Sequence, residues 1–186
     1  IVMVGEMRDK PTAELAIKLA NTGHLTFSTL HTNDAPSAVS RLYKMGVEPF
    51  LIAYAINLVV AQRLIRTLCP RCKREKKDLD PVLLERLGFT ESDLVDHTIY
   101  RPGDDSNCPQ CQGRSYTGRR AIAEAMYFSR DVRHLIAGSG EDIDEESLRR
   151  TAEAEGLRSL QDSARRVVLK GETSVEEMMR VTPSED

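Results

Sequence analysis

Ile1-Val2-Met3-Val4-Gly5-Glu6-Met7-Arg8-Asp9 opens the chain, and its reading decides the fold. Four apolar residues in a row, closed by a glycine and an acid, predict a β-strand buried on both faces, as strands of parallel sheets are. Its carboxyl end presents Glu6 and Arg8 at a sheet edge, where α/β proteins place their chemistry. A strand this apolar needs hydrogen-bonding neighbours on both sides, so the chain is expected to be the back part of a longer protein.

Working outward, Lys10-Pro11-Thr12 starts a helix with proline in its first turn. Ala13, Ala16, Ile17 and Ala20 share one helical face, and Gly23 is the expected stop. Leu25 to Leu30 reads as the next strand. Strand, helix and strand in succession form a βαβ unit with a right-handed crossover, which makes the strands parallel. Glu6 and His31 are therefore expected at the same edge.

Pro36 to Met45 and Phe50 to Val59 read as helices, and Ala61 to Leu68 as a strand running into Cys69. The division expected is an α/β core over residues 1–68, an insert over 69–111 and a strand plus helices over 112–186. The insert carries a small helix capped by Asp80 and Pro81. Arg119 to Tyr127 is its following strand, and helices are expected near Arg130 to Ala137, Glu145 to Glu155 and Ser159 to Lys170. A last helix starts at Ser174, with Glu177 three residues on as a capping box. The tail Thr182 to Asp186 is expected to be disordered.

Composition narrows the function. Of 186 residues, 40% are hydrophobic and 30% charged, as in ordinary globular domains. No apolar run approaches the ~20 residues of a membrane helix; the longest candidate, Pro49 to Ala61, is broken by Tyr54 and Asn57. The net charge of −3 hides a gradient, +6 over residues 1–77 and −9 over 78–186. The first part suits an anion such as a nucleotide, whereas the second is a poor nucleic-acid surface.

Glu6, at the tip of a buried strand after Gly5 has left room for close approach, stands where a nucleotide hydrolase orients an attacking water or approaches magnesium. The plainer alternative is that Glu6 and Arg8 pair and solvate the strand end. His31, set among Ser28, Thr29, Thr32 and Asn33, can donate to a γ-phosphate; its alternative is a loop histidine held by those hydroxyls. Arg63 and Arg66, with Arg41 on the preceding helix, are candidates to reach a nucleotide or a neighbouring subunit, against a solvated face.

Cys69-Pro70-Arg71-Cys72 and Cys108-Pro109-Gln110-Cys111 carry all four cysteines. Two such knuckles supply the four thiolates of a closed tetrahedral zinc site. With no open coordination position, that site is structural and contributes folding free energy. The competing reading, a thioredoxin-like redox pair, expects one motif after a strand and not two matched ones. The basic run Arg71 to Lys77 has no interleaved aromatic residue for base stacking and reads as a charged surface.

Val4 to Asp9, Thr22 to Leu25, Ser28 to Asn33, Ala61-Gln62-Arg63-Leu64 and the paired cysteines closely resemble the type II secretion and type IV pilus assembly ATPases. The resemblance continues through Thr117 to Arg120, Gly156 to Leu160, Gly171 to Ser174 and Val181-Thr182, and covers nearly the whole chain. It implies the C-terminal portion of a RecA-like core, from the Walker B segment onward, in a homo-hexameric cytoplasmic motor docked on inner-membrane platform proteins. By it, Glu6 looks like the catalytic glutamate and His31 the histidine of the histidine box. By the same resemblance Cys69, Cys72, Cys108 and Cys111 match a structural zinc site; Arg8, Arg63 and Arg66, read from the residues themselves, are candidates near a nucleotide or a subunit interface. ATP and magnesium are the implied substrate and cofactor of the whole protein. The alternative from another class is a non-catalytic zinc-binding interaction module.

One departure is plain: no Gly-x-x-x-x-Gly-Lys-[Ser/Thr] occurs, so the loop that cradles phosphates is absent from this sequence. The 186 residues alone are expected not to turn over ATP appreciably. Robust hydrolysis by a clean preparation, lost on Glu6→Gln, would refute that.

Overall fold

The computed structural model describes residues 1–140 and 142–182. They form two compact units, residues 1–61 with 124–157, and 62–123 with the residues from 158 onward. The divisions 1–68, 69–111 and 112–186 follow chain order. Compactness instead groups 62–68 with the cysteine-bearing stretch and 124–157 with the amino-terminal part.

In the first unit, β1 (Val2–Glu6), α1 (Lys10–Asn21) and β2 (Thr26–Thr29) make the expected βαβ unit. The strands are parallel, with Val2 opposite Thr26, Val4 opposite Ser28 and Glu6 opposite Thr29. Between Val4 and Glu6 the register slips at Gly5, and a slip of this kind re-aims the side chain that follows it. Asp9 starts α1 by accepting the Thr12 N–H at 2.9 Å, with Pro11 in the first turn. Ala13, Ala16 and Ile17 are buried along the apolar stripe.

One expectation is corrected here. β1 is covered on one face only: Met3 is 64% exposed, with Ile1, Leu25 and Phe27 also open. The reason is that α1 packs on one side of β1 and β2, which among the described residues form a two-stranded sheet. A Cβ at Gly5 would meet no described atom within 4 Å, so the close approach expected there is not made by these residues.

α2 (Ala35–Lys44), α3 (Pro49–Ala55), α6 (Arg130–Ala137) and α7 (Glu145–Ala154) complete the unit. Its core joins Val39, Leu42, Ile52, Met126, Phe128, Val132, Ile136 and Leu148. α3 is shorter than the Phe50 to Val59 expected. Its C-cap Ile56 is already extended, because the chain leaves the helix to enter β3 (Leu58–Leu68), which pairs with β6 (Tyr116–Tyr127). Arg133 secures that exit by donating to Phe128 O, Ala53 O and Asn57 Oδ1.

In the second unit, β4 (Arg74–Glu75) and β5 (Tyr100–Arg101) form a small antiparallel ladder that periodicity did not announce. α4 (Pro81–Arg86) is capped by Asp80 as expected, and α5 (Glu91–Asp96) is additional, with a Thr90/Asp93 capping box. α8 (Leu160–Leu169) and α9 (Val175–Val181) pack together. Arg165 on α8 holds Asp93 at 2.8 Å, and Lys73 lies over the Tyr100 ring at 4.1 Å while donating to Gly171 O at 2.7 Å.

Ser174 caps α9 by accepting the Glu177 N–H at 3.2 Å, but the Glu177 carboxylate does not complete the expected box. It is taken by stronger donors. The Arg66 N–H and guanidinium reach it at 2.9, 2.9 and 2.6 Å, and the Arg180 guanidinium at 2.8 and 2.7 Å. Arg66 also lies 4.3 Å from the centre of the Tyr116 ring. Burial alone would raise the carboxyl pKa of Glu177, but the bonds from Arg180 and Arg66 outweigh it and bring the value down to about 2.

Glu177→Gln is expected to destabilise the fold by about 2 to 3 kcal/mol, because it removes the charged partner of two arginines from a buried position. Chemical denaturation measures this. Since the folded pKa lies below the ordinary 4.5, the stabilisation is complete above that pH and is lost as pH falls toward about 2. The wild-type midpoint should fall over that window more steeply than the variant's.

Candidate functional site

Two sites emerge, each within one unit. The first stands at the carboxyl edge of β1 and β2. Glu6 ends β1, and the Thr29 hydroxyl at the end of β2 donates to the Gly5 carbonyl at 2.7 Å. Met7 N–H donates to Thr29 O at 3.0 Å, locking the strand ends side by side. His31, two residues beyond β2, places Nε2 3.0 Å from Glu6 Oε1. Arg8 places Nη2 2.6 Å from Glu6 Oε2. The shared edge expected from a parallel crossover is thus present, and the carboxylate is flanked by one group on each oxygen.

The electrostatics follow. The hydrogen bond from Arg8 lowers the Glu6 pKa; burial opposes it, and the charges of Arg8 and His31 add smaller lowering effects. Glu6 is therefore a carboxylate at neutral pH, able to accept a proton or orient a water. Its side chain is 22% exposed and His31's is 85% exposed, so both are open to a ligand. The pairing of Glu6 with Arg8 is formed.

Arg63 and Arg66 lie on β3 in the second unit, where Arg66 is bound to Glu177 and Tyr116, and Arg63 Nη1 donates to Gln62 O at 3.4 Å. Residues that sequence reading missed are Glu124 and Arg149. Glu124 Oε1 accepts the Ala35 N–H at 2.9 Å at the start of α2, and Arg149 bridges Asp34 and Glu124. A lone acid in the alternating stretch Ala121 to Met126, on the face of Ile122 and Met126, is the signal by which a buried Glu124 could have been found.

The second site is the cysteine tetrad. Cys69, Cys72, Cys108 and Cys111 are buried, with their sulfurs all within 4.8 Å of one another. Cys69 and Cys108 sulfurs are 3.9 Å apart, those of Cys72 and Cys111 3.6 Å. A tetrahedron with metal–sulfur bonds of about 2.3 Å has edges of about 3.8 Å, so the spacing fits one metal ion held by four thiolates. The two knuckles repeat one backbone pattern: Lys73 N–H donates to Cys69 O at 3.0 Å, and Gln112 N–H to Cys108 O at 2.8 Å.

Burial pushes the Cys72 thiol up to about 12, aided by the neighbouring cysteines. Backbone N–H groups of Cys111 and Gln110 outweigh burial at Cys108 and bring it down to about 7. Without a cation, four thiolates cannot share such a pocket; a divalent ion would replace their protons.

The family model described as "Type II/IV secretion system protein" matches residues 1–180. The type IV pilus assembly ATPase PilB of Myxococcus xanthus is 41% identical over 181 residues, covering 96% of this chain and 31% of that protein. The type II secretion system protein E of Pseudomonas aeruginosa is 42% identical over 185 residues, covering 100% of this chain and 35% of that protein. The chain thus spans about a third of the length of these relatives. The solved structure of the Yersinia pseudotuberculosis ATPase DotB superposes with a TM-score of 0.63 at 21% identity, over 97% of this chain and 36% of that one, a likeness of fold.

Gly103 gives a test of the tetrad that spares its ligands. A Cβ there would land on the Cys72 carbonyl group, with no flexible side chain to give way. Gly103→Ala is expected to lower metal affinity at least about tenfold in chelator competition. Gly140→Ala, where a Cβ meets nothing within 4 Å, should leave it unchanged. A family model matched over residues 1–180, with relatives 41% and 42% identical over nearly the whole chain, makes the chain a member of the type II/IV secretion system protein family.

Proposed function

We propose that this chain is the C-terminal portion of a hexameric, ATP-hydrolysing motor that powers type II protein secretion or type IV pilus assembly. The motor works in the cytoplasm, peripheral to the inner membrane, against platform proteins there. No helix among the described residues is long and apolar enough to cross a membrane. Phosphate-binding residues outside these 186 complete the nucleotide site, on a RecA-like core to which β1 and β2 contribute.

The observation that carries the reading is the contact of Glu6 with His31 at the ends of parallel strands. Glu6, ionised, accepts a hydrogen bond from the attacking water and aims its lone pair along the line of displacement. His31 donates to the γ-phosphate from the same edge, and Arg8 keeps the carboxylate ionised and restrained. Magnesium, when bound with ATP, would supply positive charge that offsets that of the phosphates. Cys69, Cys72, Cys108 and Cys111 would hold zinc, which would supply a structural cross-link between the two knuckles.

In the full-length protein, Glu6→Gln is expected to lower kcat about 100-fold or more while ATP KM changes by less than about threefold, and to abolish assembly. Unchanged turnover and assembly in that variant would sink the proposal. Elemental analysis should find one zinc per chain; a metal-free, fully folded protein would remove zinc from it.

A further inference from the structure

His31 is 85% exposed, so no packing of its own ring holds it in place. Its position against Glu6 depends on the backbone of residues 30–34, which joins β2 to α2. The first end of that segment is tied to β1 through Thr29, as described above. The second end is Asp34, the N-cap of α2, which accepts the Ser37 N–H at 2.8 Å while the Ser37 hydroxyl accepts the Asp34 N–H at 3.3 Å.

That local capping box, with Pro36 in the first turn, already satisfies the needs of a helix start. Two further residues nevertheless hold the same point. Glu124, 1% exposed on β6, accepts the Ala35 N–H at 2.9 Å. Arg149 on α7 sets Nη2 2.5 Å from Asp34 Oδ2 and Nη1 3.7 Å from Glu124 Oε2. Burying a carboxylate carries a desolvation cost of several kcal/mol, and such pairs commonly stabilise no better than apolar residues would. What they do supply is geometry: planar guanidinium and carboxylate groups meet in few arrangements.

We propose that Glu124 and Arg149 are positioning residues for His31. They pin the Asp34 end of the segment to β6 and α7, and with Thr29 pinned to β1 the short span between has little freedom to carry the imidazole off Glu6. Neither residue touches the nucleotide in this scheme; both act through His31. The inference rests on the reading of Glu6 and His31 as groups that act on ATP.

The test is a mutant cycle in the full-length protein, with kcat and ATP KM measured for Arg149→Met and Asp34→Asn, each with His31 intact and in His31→Ala. Asn caps a helix about as well as Asp, so Asp34→Asn preserves the start of α2 while weakening the charge contact with Arg149. It carries the cycle even if Arg149→Met fails to fold. With His31 intact, kcat should fall about tenfold for Arg149→Met and about threefold for Asp34→Asn, KM staying within about twofold. In His31→Ala the same changes should cost nothing further, since residues acting as one unit are not additive. Equal losses in both backgrounds overturn the inference and leave the site reading standing. Undiminished kcat in His31→Ala itself overturns that reading, and the inference with it.

Discussion

The parallel pairing of β1 with β2 is the constraint on which the first unit depends. A right-handed crossover through α1 leaves both strands pointing the same way, so their carboxyl ends share one edge. Thr29 then ties the ends together, and the register slip at Gly5 turns Glu6 toward the chain that leaves β2. Glu6, Arg8 and His31 meet because of that topology, although none of them contributes to the apolar core.

Each unit also contains a carboxylate buried almost completely, and in each it is answered by arginine from distant sequence. Glu124 joins the start of α2 to α7 through Arg149. Glu177 joins α9 to β3 through Arg66. Hydrophobic burial tolerates small slips between elements, whereas a buried charge with a fixed set of donors does not, because a lost bond leaves the charge uncompensated. These two residues set how elements within a unit sit against each other. In the second unit, Lys73, next to Cys72, lies over the Tyr100 ring and donates to the Gly171 carbonyl in the turn before α9.

Membership in the secretion family and the geometry at Glu6 come from independent observations. Similarity runs over residues 1–180, while the contact of Glu6 with His31 is a matter of distances. For the paired cysteines, spacing in sequence suggests a four-thiolate site, and the structure gathers their sulfurs within 4.8 Å of one another, two of the separations being 3.9 and 3.6 Å.

The sequence by itself determined the local elements and the chemistry that spacing encodes. Proline, capping residues and glycine stops marked α1, α2, α4 and α9 closely, and the βαβ order put Glu6 and His31 at one edge, because these signals act within a few residues. Tertiary structure decided what depends on partners far along the chain. Pairing with β6 drew Leu58 and Val59 out of the expected helix into β3. The donors of Arg66 and Arg180 diverted Glu177 from its capping box, and Asp34 and Glu124 drew in Arg149, which nothing in its own segment distinguishes. The face of β1 that is open here read as buried, because an apolar run reports what a strand can bury and not which neighbour covers it.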